Sequence, residues 1–548
     1  MKSKSSYDIL KDIKMEKTIL IGGAAGLGSA VTAHFIGKVF CSLGCYVFNY
    51  RDYPSLIRGG HNFNILKVSS NPVYSHEYHY DFILALDQKT IDIHQKDLKK
   101  GGLIFGTKET EPIVQKLQGP KILANDVLVG LLFKHFGVAL DVILTATEKV
   151  FDQNADLIKK AVAEGYRSGS QKEKLKISKP KYFISGTEAI GIGAVAAGLD
   201  IYLAYPMTPA SPLLHFLAKR QLENNILVFQ PENEIAVINA ALGASFAGAK
   251  AMVGTSGGGF ALMAEGLSLA AMTELPLVVY LGQRPAPATG LATHTGQGDL
   301  KFALNAGHGE FLRVVLSPGD AQEAIIRTQE AFYLSHKYRV PVILLSDKHL
   351  AESNYTFDEI NKACLAADRF ILANQPQDYK SYEITPNGVS PRVVPGQGPI
   401  VRANSYEHNN YGHTIEDGVW AVKMQDKRFK KLDFLKKEIN KLNPASLYGK
   451  GRNLLISYGS TKGAIVDALP QMRGFRFLQI SYLKPLPAEI ILKEIKKSGK
   501  VILIENGVKG SLADVIKEET GLAIKHKILK YDGRPFTPDF LIDKLKKI

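Results

Sequence analysis

Short apolar runs alternate with longer amphipathic stretches along almost the whole chain, the pattern of α/β units built on parallel sheets. The first run, residues 18–21, opens a block that extends from Met15 to Arg167. A polar, Lys-rich stretch at 168–180 reads as a linker. In the second block, 181–372, the pattern predicts strands at 201–204, 227–229, 251–254, 276–281 and 340–345. A Pro/Gly-rich connector from Gln375 to about His413 follows, and its length marks a functional segment or a linker rather than a turn. Next comes a basic run (Lys427, Arg428, Lys430, Lys431, Lys436, Lys437, Lys441) in which Phe429, Leu432, Leu435, Ile439 and Leu442 recur at helical spacing. That spacing predicts a surface helix with a solvated Lys face. A third α/β block occupies 451–548, so the expected organisation is 1–167, linker 168–180, 181–372, connector and Lys-rich helix 373–450, and 451–548.

Ligands of open parallel sheets bind outside the carboxyl ends of the strands. In the second block those ends are unusually polar and Gly/Pro-rich. Tyr205-Pro206-Met207-Thr208-Pro209 follows the first predicted strand, and Gln230-Pro231-Glu232-Asn233-Glu234 the second. Thr255-Ser256-Gly257-Gly258-Gly259 follows the third, and Gly282-Gln283-Arg284-Pro285 the fourth. Four consecutive strands thus bring a hydroxyl, a carboxylate, a glycine turn and a guanidinium to one rim. Each has an ordinary structural explanation. Thr208 before a proline is a good helix cap, and Glu232 and Glu234 suit the first turn of a helix. Arg284 could pair with a neighbouring carboxylate, and the Ser-Gly-Gly-Gly turn could serve close packing or hold a phosphate. All four explanations would have to hold together at one sheet edge.

At 548 residues the chain exceeds a single core, and its net charge of +15 suits an acidic partner. Nothing resembles a nucleic-acid recognition motif, so nucleic acid is set aside. The three cysteines, Cys41, Cys45 and Cys364, fall short of the four thiolates that a 4Fe–4S cluster needs. Cys41 and Cys45 lie in an apolar helical run and are expected to be buried free thiols. The low count fits a reducing compartment, and no uncharged run is long enough to span a bilayer, so the chain is expected to be cytoplasmic. The apolar stretch 18–40 has glycines placed for a strand-turn-helix rather than a signal peptide.

As a set, the Tyr-Pro-x-Thr-Pro turn, the Glu-x-Glu-Ile-Ala helix start at Glu232 and the Thr-Ser-Gly-x-Gly-Phe turn resemble the α subunits of 2-oxoacid:ferredoxin oxidoreductases. The resemblance extends through Arg284, Ala288-Thr289-Gly290-Leu291, Gln297-Gly298-Asp299-Leu300, Ser405-Tyr406-Glu407-His408 and Asp532-Gly533-Arg534-Pro535-Phe536-Thr537. The first block resembles the γ component of the same family, through Gly22, Gly23, Gly26, Gly28 and Arg58-Gly59-Gly60, giving the order of a γ–α fusion. The resemblance implies an α/β architecture with a γ-type domain, a doubly wound pyrimidine-binding domain for thiamine diphosphate and a C-terminal transketolase-C-like domain. It implies Glu234, by its spacing to Gly243 and Gly248, as the carboxylate beside the thiamine pyrimidine. It implies Arg284, Thr208 and Thr293 as substrate-binding groups and Tyr205, Pro206, Ser256 and Gly257 as further cofactor contacts. Coenzyme A is the implied co-substrate.

The Gly-Asp-Gly signature that holds the diphosphate through Mg²⁺ does not occur in this sequence. A partner β subunit is therefore implied to carry the diphosphate, Mg²⁺ and the 4Fe–4S cluster, in a heterodimer or dimer of heterodimers that reduces ferredoxin, with no metal ligands on this chain. Three rivals remain. A nicotinamide dehydrogenase lacks the strict G-x-G-x-x-G order at Gly22–Gly28 and has no acidic residue before Asp52. A component of another thiamine enzyme, such as a split transketolase, would not need the Tyr-Pro-Met-Thr-Pro turn. A non-catalytic assembly subunit would be indifferent to loss of Glu234.

Overall fold

The computed structural model describes residues 15–54, 60–151, 154–361, 365, 367–374 and 376–548. Arg58, Gly59 and Cys364 lie outside the described residues. The chain forms two compact units, one comprising the described residues up to Phe183 with Asn354–Glu359, the other Ile184–Ser353 with Ile360–Ile548. No helix among the described residues is long and apolar enough to cross a membrane.

In the first unit the strands are β1 (Glu16–Ala24), β2 (Tyr46–Asp52), β3 (His61–Ser69), β4 (Tyr80–Ala85), β5 (Leu98–Phe105), β6 (Tyr182–Ser185) and, from later in the chain, β13 (Asn354–Phe357). Their order is β5-β4-β1-β3-β2-β13-β6. β4 is parallel to β1 and β5, whereas β3 is antiparallel to β1 and β2, so this sheet is mixed where the apolar runs predicted parallel strands. Only residues 53–60 separate β2 from β3, and a parallel pair needs a crossover of a dozen residues or more. Gly26 and Gly28 take left-handed φ values of 97° and 82° where the chain turns from β1 into the helix Ser29–Ser42. That helix buries Phe35, Ile36, Val39 and Phe40 against the sheet. Cys41 and Cys45 are buried free thiols, as expected, and burial pushes them up to about 12 and about 11.

The second unit contains a doubly wound sheet of β7 (Ile201–Ala204), β8 (Leu227–Phe229), β9 (Ala251–Ser256), β10 (Leu277–Gln283), β11 (Val314–Leu316), β12 (Pro341–Asp347) and β17 (Tyr482–Lys484). The order is β17-β11-β12-β10-β9-β7-β8, all parallel except β17, which runs antiparallel to β11. β8 lies on one side of β7 and β9 on the other, so the strand order reverses at β7, a topological switch point. Leu203, Val253, Val279, Leu281, Ile343 and Leu345 point to a core shared with Val237, Ile238 and Leu267 of the covering helices. Tyr202, Met252, Val278, Tyr280 and Leu344, one residue out of step and equally buried, fill the opposite face. A third sheet, β14 (Ala445–Gly449), β15 (Asn453–Ser457), β16 (Phe475–Ile480), β18 (Val501–Glu505) and β19 (His526–Leu529), has the order β14-β16-β15-β18-β19. Its Leu454, Ile456, Leu478, Ile480 and Leu503 belong to the same core as the doubly wound sheet.

The Lys-rich segment is the helix Gly418–Lys441, capped by the Asp417 carboxylate on the Trp420 amide at 2.8 Å. Its Lys face is not uniformly solvated, and the expectation is corrected here. Lys427 and Lys431 are buried, and their ammonium groups meet the two oxygens of buried Glu274 at 2.5 Å each. Arg428 pairs with Glu407 in the connector. Glu274 stays ionised well below the usual carboxylate range because Lys427, Lys431 and Arg339 surround it and outweigh its desolvation. The connector itself packs down: Tyr379, Tyr382, Arg392 and His408 are buried, and the His408 and Tyr382 rings lie 3.8 Å apart.

Candidate active site at the carboxyl edge of the doubly wound sheet

Each predicted rim segment begins where its strand ends. After β8 the chain crosses Pro231 and exposed Glu232 to Asn233, whose side chain caps the helix Glu234–Phe246 by accepting from the Ala236 amide at 3.0 Å. Asn233 supplies the cap, and Glu234 at the first helical position lies on the buried face of the helix. It is 3% exposed, and its Oε1 has no hydrogen-bond partner. A side chain at Gly259 would place Cβ 2.2 Å from Glu234 Oε1 and 2.2 Å from Thr255 Oγ1. The glycine therefore keeps open the space into which both oxygens project.

Ser256 ends β9 with a buried hydroxyl that likewise has no partner, and Gly257 opens the next helix, Gly257–Leu262. A Cβ on Gly257 would lie 2.6 Å from Asp299 Oδ2, another buried oxygen without a partner. Asp299 stands at the cap position of the helix Leu300–Asn305 but makes no capping bond. Its amide donates instead to the Gln283 side chain at 3.0 Å, at the end of β10. Burial pushes its carboxyl up to about 6, with Arg284 pulling the other way. Burial also lowers Arg284, which Asp299 opposes. Arg284 Nη1 donates to the Thr208 carbonyl at 2.8 Å, joining the segments that follow β7 and β10.

The structure thus gathers Glu234, Thr208, Ser256, Gly257 and Arg284 at one rim. Tyr205 and Pro206 lie on its exposed shoulder, Tyr205 being 39% exposed. Thr293 is half-buried in the loop after Arg284, with its hydroxyl 3.2 Å from His294 Nδ1. It is Thr208's carbonyl, not its hydroxyl, that meets Arg284. Sequence reasoning gave no role to Asp299, Thr255 or Gln297. Gln297 ties the rim loop to the C-terminal sheet: its Nε2 donates to the Tyr458 carbonyl at 3.1 Å. Its Oε1 accepts from Thr461 Oγ1 at 3.1 Å and from the Asn506 amide at 3.0 Å. The signal for these residues was their place in motifs that carry the family resemblance, which assigned them no role; the contacts that distinguish Gln297 are long-range.

Fold and rim define an α/β enzyme domain with buried, unpartnered carboxylates at a topological switch point, the place where such sheets receive a cofactor. Residues 192–427 match the family described as pyruvate flavodoxin/ferredoxin oxidoreductase, thiamine diP-bdg, and residues 18–168 match pyruvate ferredoxin/flavodoxin oxidoreductase. The chain is 31% identical to a 2-oxoacid:ferredoxin oxidoreductase subunit alpha of Sulfolobus sp, over 97% of both chains. It is 27% identical to 2-oxoglutarate synthase subunit KorA of Methanothermobacter thermautotrophicus, over 67% of this chain and 99% of that one. A solved 2-oxoglutarate:ferredoxin oxidoreductase from Magnetococcus marinus, with 2-oxoglutarate, coenzyme A and succinyl-CoA bound, superposes with a TM-score of 0.86. That match has 26% identity and covers 97% of this chain and 99% of that one. The chain belongs to the family of 2-oxoacid:ferredoxin oxidoreductase alpha subunits, oxidoreductases that act on 2-oxoacids with ferredoxin.

Proposed function

We propose that this chain is the substrate-binding and thiamine-activating half of an oxidoreductase that converts a 2-oxoacid and coenzyme A to acyl-CoA and CO₂. With the substrate as its carboxylate, two electrons and the thiol proton of coenzyme A leave in that reaction, and the electrons pass singly through a β subunit to ferredoxin. The reading rests above all on Glu234: a buried carboxylate oxygen with no partner, facing a space that Gly259 keeps free of side chain. A buried polar atom without a partner is costly unless something completes it. The pyrimidine of thiamine diphosphate fits that requirement, because its ring nitrogen can share a proton with the Glu234 carboxylate. When bound, the cofactor supplies the nucleophile and electron sink for cleaving the bond to the 2-oxoacid carboxylate.

Glu234 then holds the proton at the pyrimidine edge, in a site from which burial excludes water. Tyr205, Pro206, Ser256 and Gly257 would line the ring. Arg284, braced by the Thr208 carbonyl, presents its free guanidinium edge to the substrate carboxylate, which it can bind bidentately. Thr208 and Thr293 add hydroxyl donors to the substrate. With three cysteines and no diphosphate signature in this sequence, we assign the diphosphate, Mg²⁺ and the 4Fe–4S cluster to the β subunit. The working assembly is a cytoplasmic heterodimer or dimer of heterodimers. Within it, 1–167 acts as the γ-type domain, 181–372 as the pyrimidine-binding domain and 451–548 as the transketolase-C-like domain.

The test is thiamine- and coenzyme A-dependent reduction of a viologen dye by the anaerobically purified complex, offered pyruvate, 2-oxoglutarate and branched 2-oxoacids in turn. Glu234→Gln is expected to lower kcat by about 10²–10⁴-fold, with the complex still assembled. Unchanged turnover in that variant would remove Glu234 from the chemistry and leave a non-catalytic subunit.

A further inference from the structure

A cavity of about 540 Å³ opens beside the start of β11, among the C-terminal end of the helix Leu300–Asn305, the Lys-rich helix and the turn after β17. It lies toward the amino ends of the parallel strands, away from the carboxyl-edge rim, since Arg313 immediately precedes β11. Two buried or half-buried cations face it. Arg313 is 5% exposed, stacks its guanidinium carbon 4.2 Å over the Phe311 ring, and gives one Nη to the Ala306 carbonyl. Lys484 gives its ammonium to the Leu304 carbonyl at 2.9 Å. Neither forms an ion pair among the described residues, and Arg313 Nε is buried with no partner.

Carbonyls at a helix end explain one cation, but not two that repel one another. Burial lowers Lys484, Arg313 lowers it further, and only Glu519 opposes them. Burial pushes Arg313 down to about 10. Two partly desolvated positive charges with no ion-pair partner among the described residues are costly, and Glu519 offsets only part of that cost. A carboxylate in the cavity would lie beside both cations and supply the negative charge that neither has as an ion-pair partner. The remaining wall is apolar, from Leu312, Phe429, Leu432 and Leu486, with Lys436 at the mouth. Glu310 and Glu519 also border the cavity and disfavour a second negative charge.

We infer that this cavity is a binding site for a singly charged organic carboxylate with a short hydrocarbon body, its head between Arg313 and Lys484 and its tail against Leu432 and Phe429. The site is separate from the 2-oxoacid site, and its existence does not depend on the assignment of Glu234 or Arg284.

Hexanoate is the probe, titrated into the purified complex by ligand-observed NMR, with hexan-1-ol and hexyl phosphate as comparisons. Saturable hexanoate binding is expected, at least tenfold tighter than either comparison. Arg313→Gln and Lys484→Gln should each weaken it at least tenfold. Leu432→Trp, which fills the apolar end and keeps both cations, should abolish it. Because Leu432 is only half-buried, that variant decides the matter if Arg313→Gln fails to fold. Binding should persist in Arg284→Gln and resist competition by 2-oxoglutarate. Absence of saturation at millimolar hexanoate, binding untouched by Leu432→Trp, tighter hexyl phosphate, or displacement by 2-oxoglutarate would each overturn the assignment.

Discussion

Asp299 shows how one side chain acquires properties that its neighbours in sequence do not announce. Its carboxyl is desolvated beside Gly257, and the folded chain holds its proton to about pH 6 against an ordinary value of 3.8. A carboxyl raised on folding binds more protons in the folded than in the unfolded state between those values. Stability therefore falls as pH rises from about 4 to about 6 and stays reduced above that window. Two pKa units correspond to about 3 kcal/mol, so Asp299→Asn is expected to stabilise the chain by about 2 kcal/mol at pH 7.5 and by nearly nothing at pH 4. Thermal midpoints of both proteins across that range check it; an equal gain at both ends would exclude the desolvated carboxyl as the cause. The family resemblance singled out Glu234 over Glu232, and the structure buries the first and exposes the second. The physical reason is the helix itself, since Glu234 falls on the buried stripe with Val237, Ile238 and Ala241 whereas Glu232 precedes the cap residue Asn233. Asp299 was not legible in the same way. A carboxylate just before a helix reads as a cap, and only the approach of Gly257 and the missing capping bond show otherwise.

Among elements, β7, β9 and β10 of the doubly wound sheet were legible because each is a short, largely buried run ended by a Gly/Pro-rich turn, whereas β8 and β12 were legible as apolar runs alone. β11 escaped notice, having only Val314–Leu316 to betray it. The Lys-rich helix was read correctly as a helix but not as to its buried face. Met424, Lys427, Lys431 and Leu435 fall on one stripe, and hydrophobicity alone assigns both lysines to water. Their partner Glu274 lies 153 residues from Lys427 in sequence, beyond any local pattern. The long Lys stems contribute apolar packing while their heads meet the carboxylate. Removing that carboxylate would leave two buried ammonium groups beside Arg339 with nothing to neutralise them. Glu274→Gln is therefore expected to cost about 3–5 kcal/mol, against less than about 0.5 kcal/mol for Lys430→Ala on the exposed face. Replacing Glu274, Lys427 and Lys431 together by methionine should recover much of the loss. Denaturant unfolding of the four proteins measures this, and a Glu274→Gln cost no larger than that of Lys430→Ala would show that the cluster is dispensable.

At the scale of the molecule, the C-terminal block was recognisable as α/β, yet nothing in its sequence indicated that it shares a core with the doubly wound sheet and contributes β17 to it. Within that unit the rim loop is held at both ends by hydrogen bonds, Arg284 to the Thr208 carbonyl and the Asp299 amide to the Gln283 side chain, and in between by Gln297. The Gln297 side chain satisfies the Tyr458 carbonyl, the Thr461 hydroxyl and the Asn506 amide, and its backbone carbonyl accepts from the Tyr458 hydroxyl at 3.2 Å. Gln297→Met keeps the volume and deletes the side-chain bonds, stranding three buried polar groups at about 1–3 kcal/mol each before relaxation. Relaxation is easiest on the loop, because the strands of the C-terminal sheet are fixed by their ladders. A net loss of about 3 kcal/mol is expected, together with a loop free to carry Arg284 away from the Thr208 carbonyl. On the proposed role of Arg284 in binding the ground-state carboxylate, KM for the 2-oxoacid should rise several-fold while kcat changes little. Viologen reduction by the assembled complex separates the two parameters. A variant that melts early but keeps its KM would make Gln297 a stabilising clasp alone, whereas a raised KM with normal melting would place its whole effect on the position of Arg284.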